Sequence, residues 1–388
     1  MKALRFTCLF VLLHWFSTLF AQEEEPKPPW IELNGYIKSI QNGYVERNIA
    51  SLTSANLFHN RLNFKFNFSD KLSGRLEIRN RIFYGDLISK TPGFSAIINQ
   101  YNGYFKLSHL WVDEQTLIVH SVIDRLLLQY ALEKWDIKIG RQRINWGINN
   151  VWNPNDIFNA YNFLDFDYEE RPGNDAVRIQ RFFDNNTTLE LAYKPGKNAD
   201  DHIGALLYKF NQWKYDFQFL SGIYRADVVL GMGWAGNIKD TGFKGEAGYF
   251  LPRNNTLDTT AAFSFTLMLD RTFKHDWYLS TSFLYNSNPT NVFTGNGIYN
   301  SNLSAKSLFP FKYNLYVGVM KTISPILSAN LSCIYSPEKN TLILFPTFAW
   351  NIATNFDLDF TVQSFFSKES NAYHTQGSAF FLRGRWSY

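Results

Sequence analysis

The run Asn56–Ser69, NLFHNRLNFKFNFS, alternates: Leu62, Phe64, Phe66 and Phe68 share one parity, while Arg61, Asn63, Lys65 and Asn67 share the other. Successive side chains of a strand point to opposite faces, whereas helical neighbours recur at three and four residues. The run is therefore strand, and no helix face fits it. After a tight turn through Asp70 the pattern returns, with Leu76, Ile78 and Ile82 set against Arg75, Glu77, Arg79 and Arg81. One face is apolar and aromatic; the other is a ladder of charge.

A soluble sandwich could use such strands by interlocking its apolar faces into a core about 10 Å thick. It does not readily account for strands of about 9–11 residues with aromatics recurring at their ends, the pattern of a transmembrane barrel with its aromatic girdles. Composition agrees, since 45% hydrophobic and 18% aromatic residues coexist with a mean hydropathy of −0.24. Lipid-facing and lumen-facing positions that alternate average out to mild polarity. After the first residues, no span reaches the ~20 apolar residues of a membrane helix.

Met1–Ala21 has a basic start (Lys2, Arg5), an apolar run from Phe6 to Phe20 and a small residue before Gln22, the build of a cleavable secretory signal peptide. Residues 22–30 read as an extended periplasmic leader, QEEEPKPPW. Cleavage near Ala21 would leave Cys333 as the one cysteine, so no intramolecular disulfide is expected. The net charge of +4 drops to +2 once Lys2 and Arg5 leave, and no nucleic-acid partner is implied.

From Ile31 onward the chain reads as hairpin after hairpin, with strands at Ser121–Leu132, Lys134–Trp146, His202–Phe210, Lys214–Tyr224, Gly242–Leu251, Phe311–Lys321 and Gln376–Tyr388 among them. Around Gly140, Ile137 and Ile139 give way to Arg141 and Arg143 in the same register, which predicts either a bulge or the strand's exit there. Short turns alternate with long connections at Asp86–His120, Ile148–Asn174 and Ser287–Pro310. The expected fold is all-β: one transmembrane antiparallel up-and-down barrel over 31–388. It should have about 18 strands (16–18), long extracellular loops and short periplasmic turns. The last strand alternates Phe380, Leu382, Gly384, Trp386 and Tyr388 with Arg383, Arg385 and Ser387. That ending resembles the carboxy-terminal signature recognised by the barrel assembly machinery, with Tyr388 where Phe is usual.

The densest stretch follows. IDRLLLQY at Ile123–Tyr130, GRQRINWG at Gly140–Gly147, WNPNDIFN at Trp152–Asn159 and DFDYEERPGNDAVRIQ at Asp165–Gln180 resemble porin-like outer-membrane β-barrels of the Bacteroidota, distantly similar to alginate-export-type channels. The resemblance is dense over Ile123–Phe183 and architectural elsewhere. It implies a barrel of 18 or so strands in the outer membrane of a Gram-negative bacterium, with a loop folded into or over the lumen. It brings no solute with it.

The loop at 148–174 admits several readings. As a constriction it would set Trp152, Asn153, Asp156, Asp165, Asp167, Glu169, Glu170, Arg171 and Asp175 near pore-lining Arg75, Glu77, Arg79, Arg81, Arg141, Arg143 and Arg178, where opposed charge sets selectivity. As structure, Arg171 or Arg178 would pair with loop acids and pin the loop to the wall. A Ca²⁺ site from Asp165, Asp167 and Glu169 lacks the glycine and the full ligand set of a twelve-residue calcium loop. Trp146, Trp152, Phe158, Tyr161, Phe163, Phe166 and Tyr168 could stack on sugars or simply hold the loop shut.

Enzymatic motifs are absent from the sequence: His59, His109, His120, His202, His275 and His374 are scattered, and no HExxH, CxxC or phosphate-binding loop occurs. No catalytic residue, cofactor or metal is expected. The expectation is a channel for passive diffusion of small hydrophilic solutes, with outer-membrane lipid around it. The alternatives are a non-conducting barrel for surface-polysaccharide binding, export or assembly, and a barrel hydrolase. Patterning leaves monomer and trimer equally open.

Overall fold

The computed structural model describes residues 28–47, 52–99, 103–159, 171–253, 260–289 and 303–388. The expected signal segment and most of the leader lie outside them, as do Asp165, Asp167, Glu169, Glu170 and the aromatics Tyr161, Phe163, Phe166 and Tyr168. Among the described residues no helix is long and apolar enough to cross a membrane. Strands cross instead, in one antiparallel sheet closed on itself.

In chain order the strands are β1 (Ile31–Glu46), β2 (Thr53–Asn67), β3 (Leu72–Tyr84), β4 (Ser108–Asp113), β5 (Leu117–Ala131), β6 (Trp135–Gln142), β7 (Asn174–Phe182), β8 (Thr188–Lys194), β9 (Ile203–Gln212) and β10 (Tyr215–Tyr224). They continue as β11 (Asp227–Ile238), β12 (Thr241–Pro252), β13 (Ala262–Phe273), β14 (Trp277–Asn286), β15 (Tyr313–Ser324), β16 (Leu327–Ser336), β17 (Thr341–Ala353), β18 (Phe356–Glu369) and β19 (Ala372–Ser387). Consecutive strands pair, except that β3 pairs with β5 rather than β4, and β1 closes on β19 from Tyr36↔Ser387 to Glu46↔Gly377. Closure removes the sheet edges that hydrocarbon could not satisfy.

The ring has 18 places for these strands because β4 and β6 share one. Strand β5 pairs with β3 along one edge; along the other it pairs with β4 through Ile118–Val122 and with β6 through Leu126–Ala131. Where Asp86–His120 reads as a plain connection, the structure has two short helices, α1 (Asp86–Lys90) and α2 (Phe94–Ile98), followed by β4. Six residues of β4 are too few for a spanning pattern to register. Ser54 donates backbone and side-chain hydrogen bonds to Asp86 at 3.2 and 2.9 Å, which lower that carboxyl's pKa at the start of α1.

Alternation fulfils its expected role. On the outer face Phe219, Leu230, Met232, Leu269, Leu331 and Phe348 are exposed, ready for lipid, while inward Gln218, Glu246, Thr266, Asn286, Asn314 and Gln363 are buried. The interior is filled in part by three apolar clusters. One joins Ile144, Trp146, Ile157 and Phe158 to Leu207, Leu220 and Phe250; one joins Val151 and Trp152 to Leu308, Phe309 and Phe311; one packs Ile88 and Phe94 of the short helices on Ile40, Leu57 and Phe83.

Two irregularities place charge. Opposite Glu77 and Ile78, β5 carries an extra residue, Asp124, so that both Asp124 and Arg125 are buried and Leu126 still faces out. At Gly140 the pairing with β5 and β7 runs unshifted, so no bulge lies there; the glycine takes φ +116° and β6 ends two residues on, at Gln142. A side chain would be strained at that φ and would meet Leu126 O at 2.3 Å.

Candidate functional site

Beyond Gln142 the chain turns inward. Residues 144–159 lie against the inner wall of β8–β13, and most of their side chains are buried, with Trp146 at 1% and Trp152 at 2% exposure, while Asn145 and Asn150 are exposed. Loops usually run over surfaces because their backbone groups need partners. Here the wall supplies them.

Glu246, on β12 and fully buried, accepts hydrogen bonds from the backbone N–H of Ile148 (2.5 Å), Asn149 (2.8 Å) and Asn155 (3.1 Å). One carboxylate thus anchors two separate stretches of the segment. Asn149 donates to Thr266 Oγ1 at 2.5 Å, Asn155 donates to the Met232 carbonyl at 2.9 Å, and Gln218 donates to the Trp146 carbonyl at 2.8 Å. The wall is recessed to admit it: a Cβ on Gly231 would stand 2.4 Å from Asn155 Oδ1, and one on Gly248 3.2 Å from Pro154.

A second carboxylate, Glu190 on β8, accepts from Trp146 Nε1 at 2.6 Å, from Arg178 at 2.5 and 2.8 Å and from Gln180 at 2.7 Å. The indole is further held edge-on by Phe158 at 5.0 Å, and Trp152 meets Phe309 at 5.7 Å. Asn159 closes the segment by donating to the Ile144 carbonyl at 2.8 Å while accepting from Asn174 at 2.8 Å. Trp146 buried this way combines large apolar contact with a satisfied N–H.

Asp156 sits under the segment, bonded to Arg171, which also donates to Asn145 Oδ1 at 2.9 Å. Burial pushes the Asp156 carboxyl up to about 7, against the pull of Arg171, the Trp146 N–H and Arg143. A buried carboxylate is costly even when paired, so the proton is held more firmly than in water.

The predicted basic residues divide by surroundings. Arg61, 1% exposed, bridges Glu77 (2.6 Å) and Asp124 (2.8 Å), and Arg79 reaches the other oxygen of Asp124 at 2.9 Å. Arg81 meets His120 Nδ1 at 3.1 Å and the Ile98 carbonyl at 3.2 Å. Arg141, 2% exposed, joins Asp175 at 2.8 Å, the Ile123 carbonyl at 3.0 Å and the Phe105 carbonyl, tying β6 and β7 to the segment that leads into β4. Arg178 is taken up by Glu190, whereas Arg75 and Arg143 are exposed. Asn153 is buried beside Gly147.

Sequence reading missed Glu246, Glu190 and Asp124 as site residues, and it put Arg61 on the polar face without assigning it a role. The signal for the first two was present: a lone Glu in each of the runs FKGEAGYF and TLELAYK, at an inward position among apolar and small residues. A buried carboxylate must find donors, but nothing local says that they arrive from a loop 44 residues before Glu190 and 91 to 98 residues before Glu246.

No protein-family model matches the chain, and no curated protein matches it. Solved structures do. The outer membrane protein OprD from Pseudomonas aeruginosa superposes with a TM-score of 0.59 at 8% identity, covering 92% of this chain and 93% of OprD. OccK8 (OprE) from the same organism gives 0.60 at 9% identity, covering 92% and 98%. Acinetobacter baumannii OccAB4 gives 0.58 at 8%, covering 94% and 100%. At such identities the likeness is one of fold.

Proposed function

We propose that this chain is an outer-membrane porin-like channel through which small hydrophilic solutes diffuse passively, narrowed by the aromatic and charged loop at 148–174. The observation that carries this reading is the seating of residues 144–159 on the inner wall by the Glu246 carboxylate. An inward loop in a closed barrel leaves a passage set by its own bulk and by the charges beside it. Likeness in fold to the outer membrane protein OprD and to the Occ structures agrees with it.

In this reading the accessible part of the passage is lined by Arg75, Arg143 and the partly exposed Glu77, Arg79, Arg81 and Arg178. Arg141 contributes by holding the wall together. Excess guanidinium favours anions, tempered by Asp156, Asp175 and the acids at 165–170. The same reading places the protein in the outer membrane after cleavage near Ala21. Its last strand, ending at Tyr388, is the mark for the barrel assembly machinery. Kinship with the Bacteroidota barrels rests on the sequence motifs alone.

The test is single-channel conductance of the purified barrel in planar bilayers, beside a variant lacking Trp152–Tyr168. Conductance that rises on deletion is expected; a folded barrel that conducts in neither form overturns the channel. The three apolar clusters inside the barrel favour one other reading, a non-conducting barrel that binds or assembles surface polysaccharide. Liposome swelling with sugars of graded size separates the two, since only a channel shows a size cut-off.

A pH dependence follows from Asp156. Its folded pKa of about 7 lies above the ordinary carboxylate value of 3.8. The docked loop therefore binds the extra proton, and the stabilisation is present at acid pH and lost as pH rises through about 7. Groups facing it are Arg171, Arg143 and the Glu246 carboxylate. Conductance should be lower at pH 5 than at pH 8, and Asp156→Asn should flatten that difference.

A further inference from the structure

Among the described residues, the rim of short turns carries three outward cations that stand over aromatic rings. Arg271 lies 5.2 Å from the ring centre of Phe273, Lys321 5.5 Å from that of Trp277, and Arg181 5.0 Å from those of both Trp135 and Phe183. The first two already have acceptors: Arg271 donates to Asp240 at 3.3 Å, and Lys321 donates to the His275 carbonyl. Arg181 is exposed and, among the described residues, has no hydrogen-bond acceptor. Asp184, the acid of the adjoining turn, is held by Lys134 at 3.0 Å.

Stacking on a ring uses the charge of a guanidinium and leaves its N–H groups, five donors in one plane, for another partner. The fork matches a carboxylate or a phosphate, whose oxygens accept two of these bonds at once. Hydrocarbon supplies no acceptor. Away from the rim the outward positions turn apolar: Ile179 stands opposite Ile137 and Leu191, and Val177 opposite Ile139 and Tyr193. Ile139, Val177 and Leu191 are exposed. A group that seeks an anion thus stands at the foot of an apolar track.

We propose that Arg181, held between Trp135 and Phe183, binds the phosphate of a phospholipid whose acyl chains run along Ile179, Val177 and Ile139. Anion site and apolar track are continuous. A free phosphate would use the first and leave the second bare; an uncharged lipid would do the reverse. Two rings limit the motion of a long side chain before the phosphate arrives, so less rotamer freedom is lost on binding. Lys321 carries a point charge rather than a fork, and its bond to a carbonyl is already made. In the outer-membrane reading the short turns face the periplasm, so the lipid belongs to the periplasmic leaflet. Only the choice of leaflet rests on that reading, because lipid retention is measured without conductance.

The experiment uses the whole purified barrel in a non-ionic detergent, with phosphatidylglycerol added and the complex weighed by native mass spectrometry. Wild type is expected to retain phosphatidylglycerol, Arg181→Gln to retain it several-fold less, and Arg181→Lys to fall between them because it keeps the charge without the fork. Arg271→Gln, at the same rim, is expected to match wild type. Diacylglycerol with the same chains, and inorganic phosphate alone, are expected to leave no adduct. Folding of every variant is verified by faster migration of the unheated barrel. Equal retention by wild type and Arg181→Gln, an equal loss in Arg271→Gln, or diacylglycerol or phosphate held as firmly as the phospholipid would each overturn the proposal.

Discussion

Replacing Glu246 by alanine is expected to free the 144–159 segment from the wall and raise single-channel conductance several-fold. The backbone donors of Ile148, Asn149 and Asn155 would lose their common acceptor inside the barrel. Leaving a buried donor unsatisfied costs about 1–3 kcal/mol, and three such donors in one segment strain a docking otherwise held by Thr266, Met232, Gln218 and Glu190 and by the apolar clusters around Trp146 and Trp152. Glu246→Gln keeps a carbonyl oxygen in place and should fall between wild type and alanine. Conductance in planar bilayers and protease nicking within 148–158 are the two readouts. Unchanged values of both in Glu246→Ala would mean that the anchor is not Glu246.

Asp124→Ala should be the most destabilising single change in the barrel wall. Its two oxygens serve Arg61 and Arg79, and Arg61 is almost completely shielded from water. Removing one partner of a buried ion pair costs about 3–5 kcal/mol because the remaining charge stays buried. Arg61 keeps Glu77, which softens but does not cancel the loss. Glu369→Gln provides the contrast, since its pair with Arg47 is open to solvent and exposed pairs contribute little to stability. Urea midpoints of the two variants in detergent should differ in that order; equal midpoints would refute the assignment.

The basic ladder shows how far parity reaches and where it stops. That Arg61, Arg75, Arg79 and Arg81 share the inward face was legible from alternation, since a one-residue slip would turn every phenylalanine of β2 inward. That Asp124 joins them depends on one extra residue in β5 opposite Glu77, and a period-two pattern passes over a single insertion unnoticed. Gly140 shows the converse. Its neighbours suggested either a bulge or the strand's exit; the pairing is regular, and the glycine serves a positive φ two residues before β6 ends at Gln142.

By itself the sequence determined the all-β class, the closed meander of about 18 places and which residues face lipid. Each of these follows from side-chain parity over ten or more residues, a local property that any stretch of strand reveals. Tertiary structure alone decided where the aromatic, charged loop goes. Its direction is set by the Glu246 carboxylate and the recess at Gly231 and Gly248, on strands some eighty to a hundred residues away. A buried acid and a missing Cβ carry no address in the sequence; closure of the barrel is what brings them to the segment that needs them.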